Sequence, residues 1–308
     1  MNNSSTNIKK ALEWIAVDWG TTNLRVWAMD KNGRVIDKKS SKKGLIFIKE
    51  RNFEKTLTTL INPWIKNKKY IPIISCGMVG SKQGWKNVGY NKVPCIPINT
   101  KSIQKILIKN KRFSFYIIKG LCQYTPYDVM RGEETQIAGF IYKNPNFNGV
   151  ICLPGTHCKW VKFSNGKVLN FTTFMTGELF SLITEQSILK YSSYNKKINN
   201  KIFSKALNES MSKSYSFLSS LFKIRAKNLL VKKFNNHARS TILGFLLGME
   251  LASIRKMIGK KNVAIIGSPI NTILYEKALS SLKIKTVKVD SEKITLRGLF
   301  LVYKNIKH

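Results

Sequence analysis

Asp18, Gly20, Thr21 and Thr22 end the apolar run "IAVDWGTT". A carboxylate, a glycine and two hydroxyls at the end of a strand-like run suit one kind of chemistry. Threonine hydroxyls and the N–H groups of a tight turn can hold phosphate oxygens. A carboxylate beside them can hold Mg²⁺, directly or through water. A second turn of this kind, Gly155, Thr156 and His157, follows the apolar run "VICLP". Aligning Gly155 with Gly20 places Thr156 on Thr21 and Val161 on Val26, and an Asn-Gly pair follows each turn, ending 13 and 11 residues after those glycines. Leu153 stands where Asp18 does, so the second turn brings no carboxylate. The pattern reads as an ATP–Mg²⁺ clamp with one metal-holding residue, Asp18.

Other chemistries lack their residues. The chain has no GxxxxGK[ST], GxGxxG, HExxH or GxSxG. Three histidines are too few for a structural zinc site or a Ser-His-Asp triad to be expected. Five cysteines without CxxC pairing predict reduced, mostly buried thiols and a cytoplasmic location. No run of ~18 apolar residues predicts a membrane span. The opening "MNNSSTNIKKALEW" has no apolar signal core, so secretion is not expected.

With 43% apolar and 11% aromatic residues, 308 positions suffice for one large domain or two lobes. The formal charge of +37 invites a nucleic-acid reading. Lysine outnumbers arginine, however, and is over-used together with Asn and Ile, as a drift toward AT-rich codons produces. The basic runs at 38–43, 66–69, 109–112, 232–233 and 260–261 are scattered. We read them as solvated faces and expect no nucleic-acid partner. A homo-oligomer is compatible with the sequence, which does not specify one.

Strand signals position both turns. Trp14–Asp18 and Leu24–Met29 flank the first, and Asn32-Gly33 predicts a hairpin into a third strand. A helix is expected over 52–66. "YIPIISCGMVGS" reads as a buried strand entering a Gly-rich loop, and 113–121 as one further strand. "RGEETQIAGFIYK" reads as a helix with acids in its first turn. After a linker at 143–149, "VICLPGTHCKWVKF" repeats strand, turn, strand, and Asn165-Gly166 leads into "KVLNFTTF". Helices are expected over 176–190, 211–224 and 239–258, with a loop at 191–201. "NVAIIGSPI" reads as a strand ending at Gly267 and Ser268, and residues 292–304 as a closing helix. The repeat predicts two lobes built on duplicated sheets: 1–142, then 149–290, with 291–308 closing the chain.

"DWGTTNLR", "GMVGSKQGW", "DVMRGEETQ", "LPGTHCKW" and "TGELF", in this order, resemble the 2-dehydro-3-deoxygalactonokinase family, within the actin/hexokinase-like sugar kinases. The motifs span most of the chain; 191–235 contributes little. The resemblance implies a two-lobed α/β (ribonuclease H-like) fold with ATP in the cleft. It also implies phosphoryl transfer to the terminal hydroxyl of 2-dehydro-3-deoxy-D-galactonate, a small sugar acid. On that basis Asp18, Gly20, Thr21, Thr22, Gly155, Thr156 and His157 are expected at the ATP phosphates and Mg²⁺. Lys159 or Arg25 would neutralise developing charge, and Gly267 and Ser268 would form an adenosine loop. The superfamily's base opens the helix linking the lobes, which leaves Glu133, Glu134 and Asp128 as candidates. An acid substrate needs a cation, for which Arg131 and Lys82 are candidates, with Trp85 as a wall. A kinase for another small acid or polyol, or a nucleotide-binding protein without turnover, are the alternatives.

Overall fold

A computed structural model describes residues 11–48, 52–65, 70–213, 216–231 and 237–307. The lysine runs at 66–69 and 232–233 and most of the opening segment lie outside the described residues. In chain order the first elements are β1 (Trp14–Trp19), β2 (Leu24–Met29), β3 (Val35–Ser41), α1 (Phe53–Ile65) and β4 (Ile71–Gly77). β5 (Tyr90–Lys92), β6 (Ile103–Ile106), β7 (Phe113–Ile118), β8 (Gly120–Tyr124), β9 (Tyr127–Met130) and α2 (Glu133–Lys143) follow. Then come β10 (Gly149–Leu153), β11 (Cys158–Ser164), β12 (Lys167–Phe174), α3 (Thr176–Ser181), α4 (Asn200–Ser212), α5 (Phe217–Leu230) and α6 (Ala238–Ile258). β13 (Val263–Gly267), α7 (Pro269–Ser280), β14 (Thr286–Asp290) and α8 (Ser291–Lys307) close the chain.

The chain divides into two compact units: residues 1–147, 164–170 and 291–308, and residues 148–163 and 171–290. The first unit's main sheet has the order β3-β2-β1-β4-β7-β6. β1 pairs antiparallel with β2 and parallel with β4. Both faces of β1 are buried, which is why its sequence is almost continuously apolar. Ile15, Val17 and Trp19 join Phe53, Leu57, Ile61 and Trp64 of α1 in one core, while Trp14 and Ala16 pack with Leu299, Val302 and Tyr303 of α8 in another. The closing helix thus belongs to the first unit. It meets α2 through Gly139 and Gly298: a Cβ on either would lie 2.1 Å from a carbonyl oxygen of the other helix, of Ile294 and Thr135 respectively.

A second sheet repeats the core of this plan, β12-β11-β10-β13-β14. β10 pairs antiparallel with β11 and parallel with β13, as β1 does with β2 and β4. Asn165 and Gly166 both have positive φ (50° and 73°), the twist-matched two-residue hairpin that Asn-Gly favours. α4, α6 and α7 supply Phe203, Leu247, Leu251 and Leu279 to one core with Val150, Trp160 and Ile265.

Three element expectations change. The helix expected over 176–190 ends at Ser181 and continues as a π-helical turn (182–186) and a 3₁₀ stretch (188–192). Hydroxyls compete with the backbone there: Thr184 donates to the Phe180 carbonyl and Ser187 to that of Ile183. A helix expected over 211–224 is two helices, α4 and α5. The start of α4, inside the polar stretch, is set by Asn199, whose side chain accepts from the Ile202 N–H. The strand expected over 113–121 turns at Lys119 and serves two sheets, the second being the small β5-β8-β9 sheet.

Candidate active site

In the first unit the site is built at the ends of β1 and β4. Asp18 stands opposite Arg25 across the hairpin and beside Cys76 on β4. Its Oδ2 lies 2.8 Å from the Arg25 guanidinium, and its side chain is 14% exposed. Burial raises the Asp18 carboxyl above its ordinary value, Arg25 opposes this, and the charges of Glu133 and Glu292 reinforce it. The turn after it is held from one side. The carbonyls of Gly20, Thr21 and Thr22 accept from the N–H groups of Leu45, Ile46 and Gly44. Gly44 is packed so closely that a Cβ would lie 2.2 Å from the Thr22 carbonyl carbon. Thr21 and Thr22 are exposed on the remaining side.

Glycines bring the start of α2 to the same place. Gly77 at the end of β4 has φ +89° and Gly132 before α2 has φ +102°, a region L side chains rarely adopt. A Cβ on Gly132 would sit 3.4 Å from the Gly77 Cα. The three candidate carboxylates differ sharply here. Glu134 is fully buried, and both its oxygens are engaged: Gly132 N–H donates at 2.6 Å and Thr135 Oγ1 at 2.9 Å. Burial, helped by Glu133 and opposed by Arg131, raises Glu134 to about 7. Glu133 is half-buried and accepts from the Arg131 N–H at 2.9 Å, and its charge adds to the rise of the Asp18 carboxyl. Asp128 lies on β9 and accepts from the N–H of its own neighbour, Val129.

Arg131 fixes the loop after β4. Its Nη2 donates to the Gly89 carbonyl at 2.8 Å, and its guanidinium lies 4.4 Å from the centre of the Tyr90 ring. Nε and Nη1 are buried without a hydrogen-bond partner. Two guanidinium nitrogens without an acceptor suit an anionic ligand. Lys82 is exposed. Trp85 is half-buried, against Phe115, Phe53 and Trp19, with ring centroids at 4.8, 6.2 and 6.4 Å. This gives it a core packing role.

The second unit carries the other turn and a cavity. Gly155, Thr156 and His157 are exposed between β10 and β11. His157 Nε2 meets Glu178 of α3, and the Glu178 N–H donates to the Thr156 carbonyl at 2.9 Å. A Cβ on Gly177 would fall 2.3 Å from the Gly155 carbonyl oxygen, so "TGELF" is a brace for the turn. Lys159, at the start of β11, is buried. Beside the turn is a cavity of about 380 Å³ lined by Pro154, Gly155, Thr176 and Gly177, by Phe180, Lys196 and Asn200, and by faces of α6 and α7. Gly267 and Ser268 do not line it. Ser268 caps α7, accepting from the Asn271 N–H, and so aims Ile270, Asn271 and Tyr275 into the cavity. Sequence reasoning missed Gly44 and the lysine, asparagine and arginine (Lys196, Asn200, Arg239) of the cavity. No motif marks them, because loops and helices remote in sequence deliver them.

The donor set fits a nucleotide-borne divalent cation. Mg²⁺ is commonly held by one or two carboxylates together with substrate phosphates and water, and Asp18 supplies one carboxylate beside the turn. Among the described residues no cluster of three or more His, Cys, Asp or Glu forms a self-sufficient metal site. Nor is any helix among them long and apolar enough to cross a membrane.

Comparison with known proteins agrees across the chain. A family model described as 2-keto-3-deoxy-galactonokinase matches residues 18–302. A Rhizobium meliloti (strain 1021) protein, named a probable 2-dehydro-3-deoxygalactonokinase, is 32% identical over 292 residues, 93% of this chain and 95% of that one. The Escherichia coli (strain K12) 2-dehydro-3-deoxygalactonokinase is 29% identical over 273 residues, 87% of this chain and 90% of its own. A Sinorhizobium meliloti crystal structure described by the same activity superposes with a TM-score of 0.87 at 31% identity, covering 95% of this chain and 96% of that one. At 10% identity and a TM-score of 0.51, the component A of Acidaminococcus fermentans (R)-2-hydroxyglutaryl-CoA dehydratase shares the fold alone, over 96% of this chain and 99% of that one.

Proposed function

Since the chain belongs to the 2-keto-3-deoxy-galactonokinase family, we propose that it transfers the γ-phosphoryl group of ATP to the terminal 6-hydroxyl of 2-dehydro-3-deoxy-D-galactonate, in cytosolic galactonate breakdown. The observation that carries the chemistry is the placement of Asp18: a mostly buried carboxylate at a strand end, paired with Arg25 and within electrostatic reach of Glu133.

Each residue has a task in that reading. In the first unit the turn Gly20–Thr22 is a phosphate-holding turn; in the second unit the turn Gly155–His157 is another, beside the apolar cavity that takes the adenosine. Asp18 would hold Mg²⁺, which on binding neutralises charge on the transferring phosphoryl group. Arg25 and Lys159 add positive charge where negative charge develops. Glu133 accepts the proton of the attacking hydroxyl, because its charge acts on Asp18 while Glu134 is enclosed with both oxygens engaged. Glu134 instead fixes the start of α2. Arg131, with two nitrogens that lack an acceptor, takes the substrate carboxylate. Lys82 and Trp85 support that loop without a contact of their own to the acid.

Incubation with ATP, Mg²⁺ and the acid, followed by phosphorus and carbon NMR, tests the reading. One ADP per phosphomonoester, with coupling to C6, is the expected product. Phosphate at another carbon, or none on the acid, would overturn it.

A further inference from the structure

Glu250 is a buried acid within the apolar run "ILGFLLGMELA" on α6, 2% exposed. A carboxylate in such a place is costly unless it is hydrogen-bonded. Here both oxygens are engaged. Oε1 accepts from the Trp160 indole N–H at 2.7 Å, and Oε2 accepts from the Thr176 hydroxyl and, at 3.1 Å, from the Tyr275 hydroxyl. These donors come from three elements, β11, α3 and α7.

Two of the donors belong to the cavity. Thr176 and Tyr275 line it, and Thr176 is followed by Gly177, which rests on the Gly155 carbonyl. Trp160 lies on the strand that leaves the same turn. One carboxylate therefore fixes both the brace under the phosphate turn and the wall of the cavity. We propose that Glu250 is a positioning residue for the nucleotide: it touches no substrate, but sets the affinity for ATP by locking Thr176 and Tyr275. This rests on the reading of the second unit as the nucleotide site.

Substitution separates positioning from mere packing. Glu250→Leu fills the space but leaves three donors unmatched. The expected result is a KM for ATP raised at least tenfold, with the KM for the sugar acid within twofold of wild type. Glu250→Gln is the rescue. Its amide oxygen can accept from Trp160 while its NH₂ donates to the two hydroxyl oxygens, so ATP affinity should return to within about threefold of wild type. Thr176→Val, with Thr176→Ser as rescue, reads the same link should Glu250→Leu fail to fold. ADP binding by calorimetry to each folded variant and to wild type completes the test. Wild type that binds ADP beside a Glu250→Leu or Thr176→Val variant of unchanged affinity overturns the inference alone. Wild type that binds no ADP overturns it together with the nucleotide reading.

Discussion

Glu133 and Glu134 are adjacent in the chain and opposite in circumstance. Both sit in the first turn of α2, where acids complement the helix dipole in any protein, so their types and positions did not separate them. The separation came from burial: Glu134 is enclosed, whereas Glu133 is half-buried and its charge raises the Asp18 carboxyl. Glu133→Gln should lower kcat by ~10²–10⁴-fold with little change in either KM, and Asp128→Asn should leave kcat near wild type; steady-state kinetics checks both. Glu134 predicts a pH effect on stability instead. Its carboxyl is raised from 4.5 to about 7, chiefly by burial. Between those values the folded chain keeps a proton that the unfolded chain has lost. The stabilisation is thus complete below 4.5 and is lost as pH rises through 7, by about 3 kcal/mol in all. Urea denaturation at pH 5 and pH 8 should show this fall, and Glu134→Gln should flatten it. Asp18 was legible because a carboxylate at the end of a buried strand has no packing reason to be there. Gly44 was not, since a glycine shows its contact only when the chain has folded back onto residues 20–22.

Elements carry the next level of constraint, and at this level glycines decide how close they come. Gly177 lies against the Gly155 carbonyl, so Gly177→Ala must push α3 off the second turn. The expected outcome is a KM for ATP raised severalfold or more, with the fold retained by circular dichroism. Gly139 plays the corresponding part between α2 and α8, both of the first unit. Gly139→Ala forces a methyl onto the Ile294 carbonyl and should cost about 1–3 kcal/mol of stability, measured by chemical denaturation. Strands and hairpins were legible because Asn-Gly turns and period-two or continuous apolar runs have few other solutions. The region 176–212 was not. A helix is expected over 176–190 and a loop over 191–201, but Thr184 and Ser187 return their hydroxyls to the backbone, and Asn199 starts α4 at the end of that loop. That competition depends on side-chain rotamers, which spacing does not record.

For the whole molecule, the repeat seen in two Gly-Thr turns became two sheets with the same central order, β2-β1-β4 and β11-β10-β13. A duplicated strand-turn-strand pattern can be read from sequence because each copy needs the same alternation and the same tight turn. The residues that select a substrate cannot be read this way. Arg131 is one arginine among many cations in a chain of net charge +37, and only its nitrogens without an acceptor mark it out. The family membership and the Asp18 site together make one central claim, that this chain is an ATP-dependent kinase selective for a sugar acid. The most direct test is ADP formation with ATP and Mg²⁺ across a panel of sugar acids and sugars, with Asp18→Asn beside the wild type. Turnover selective for 2-dehydro-3-deoxy-D-galactonate and lost in Asp18→Asn is the predicted result. Folded, ADP-binding protein that turns over no member of the panel, or an Asp18→Asn variant as active as wild type, would contradict it.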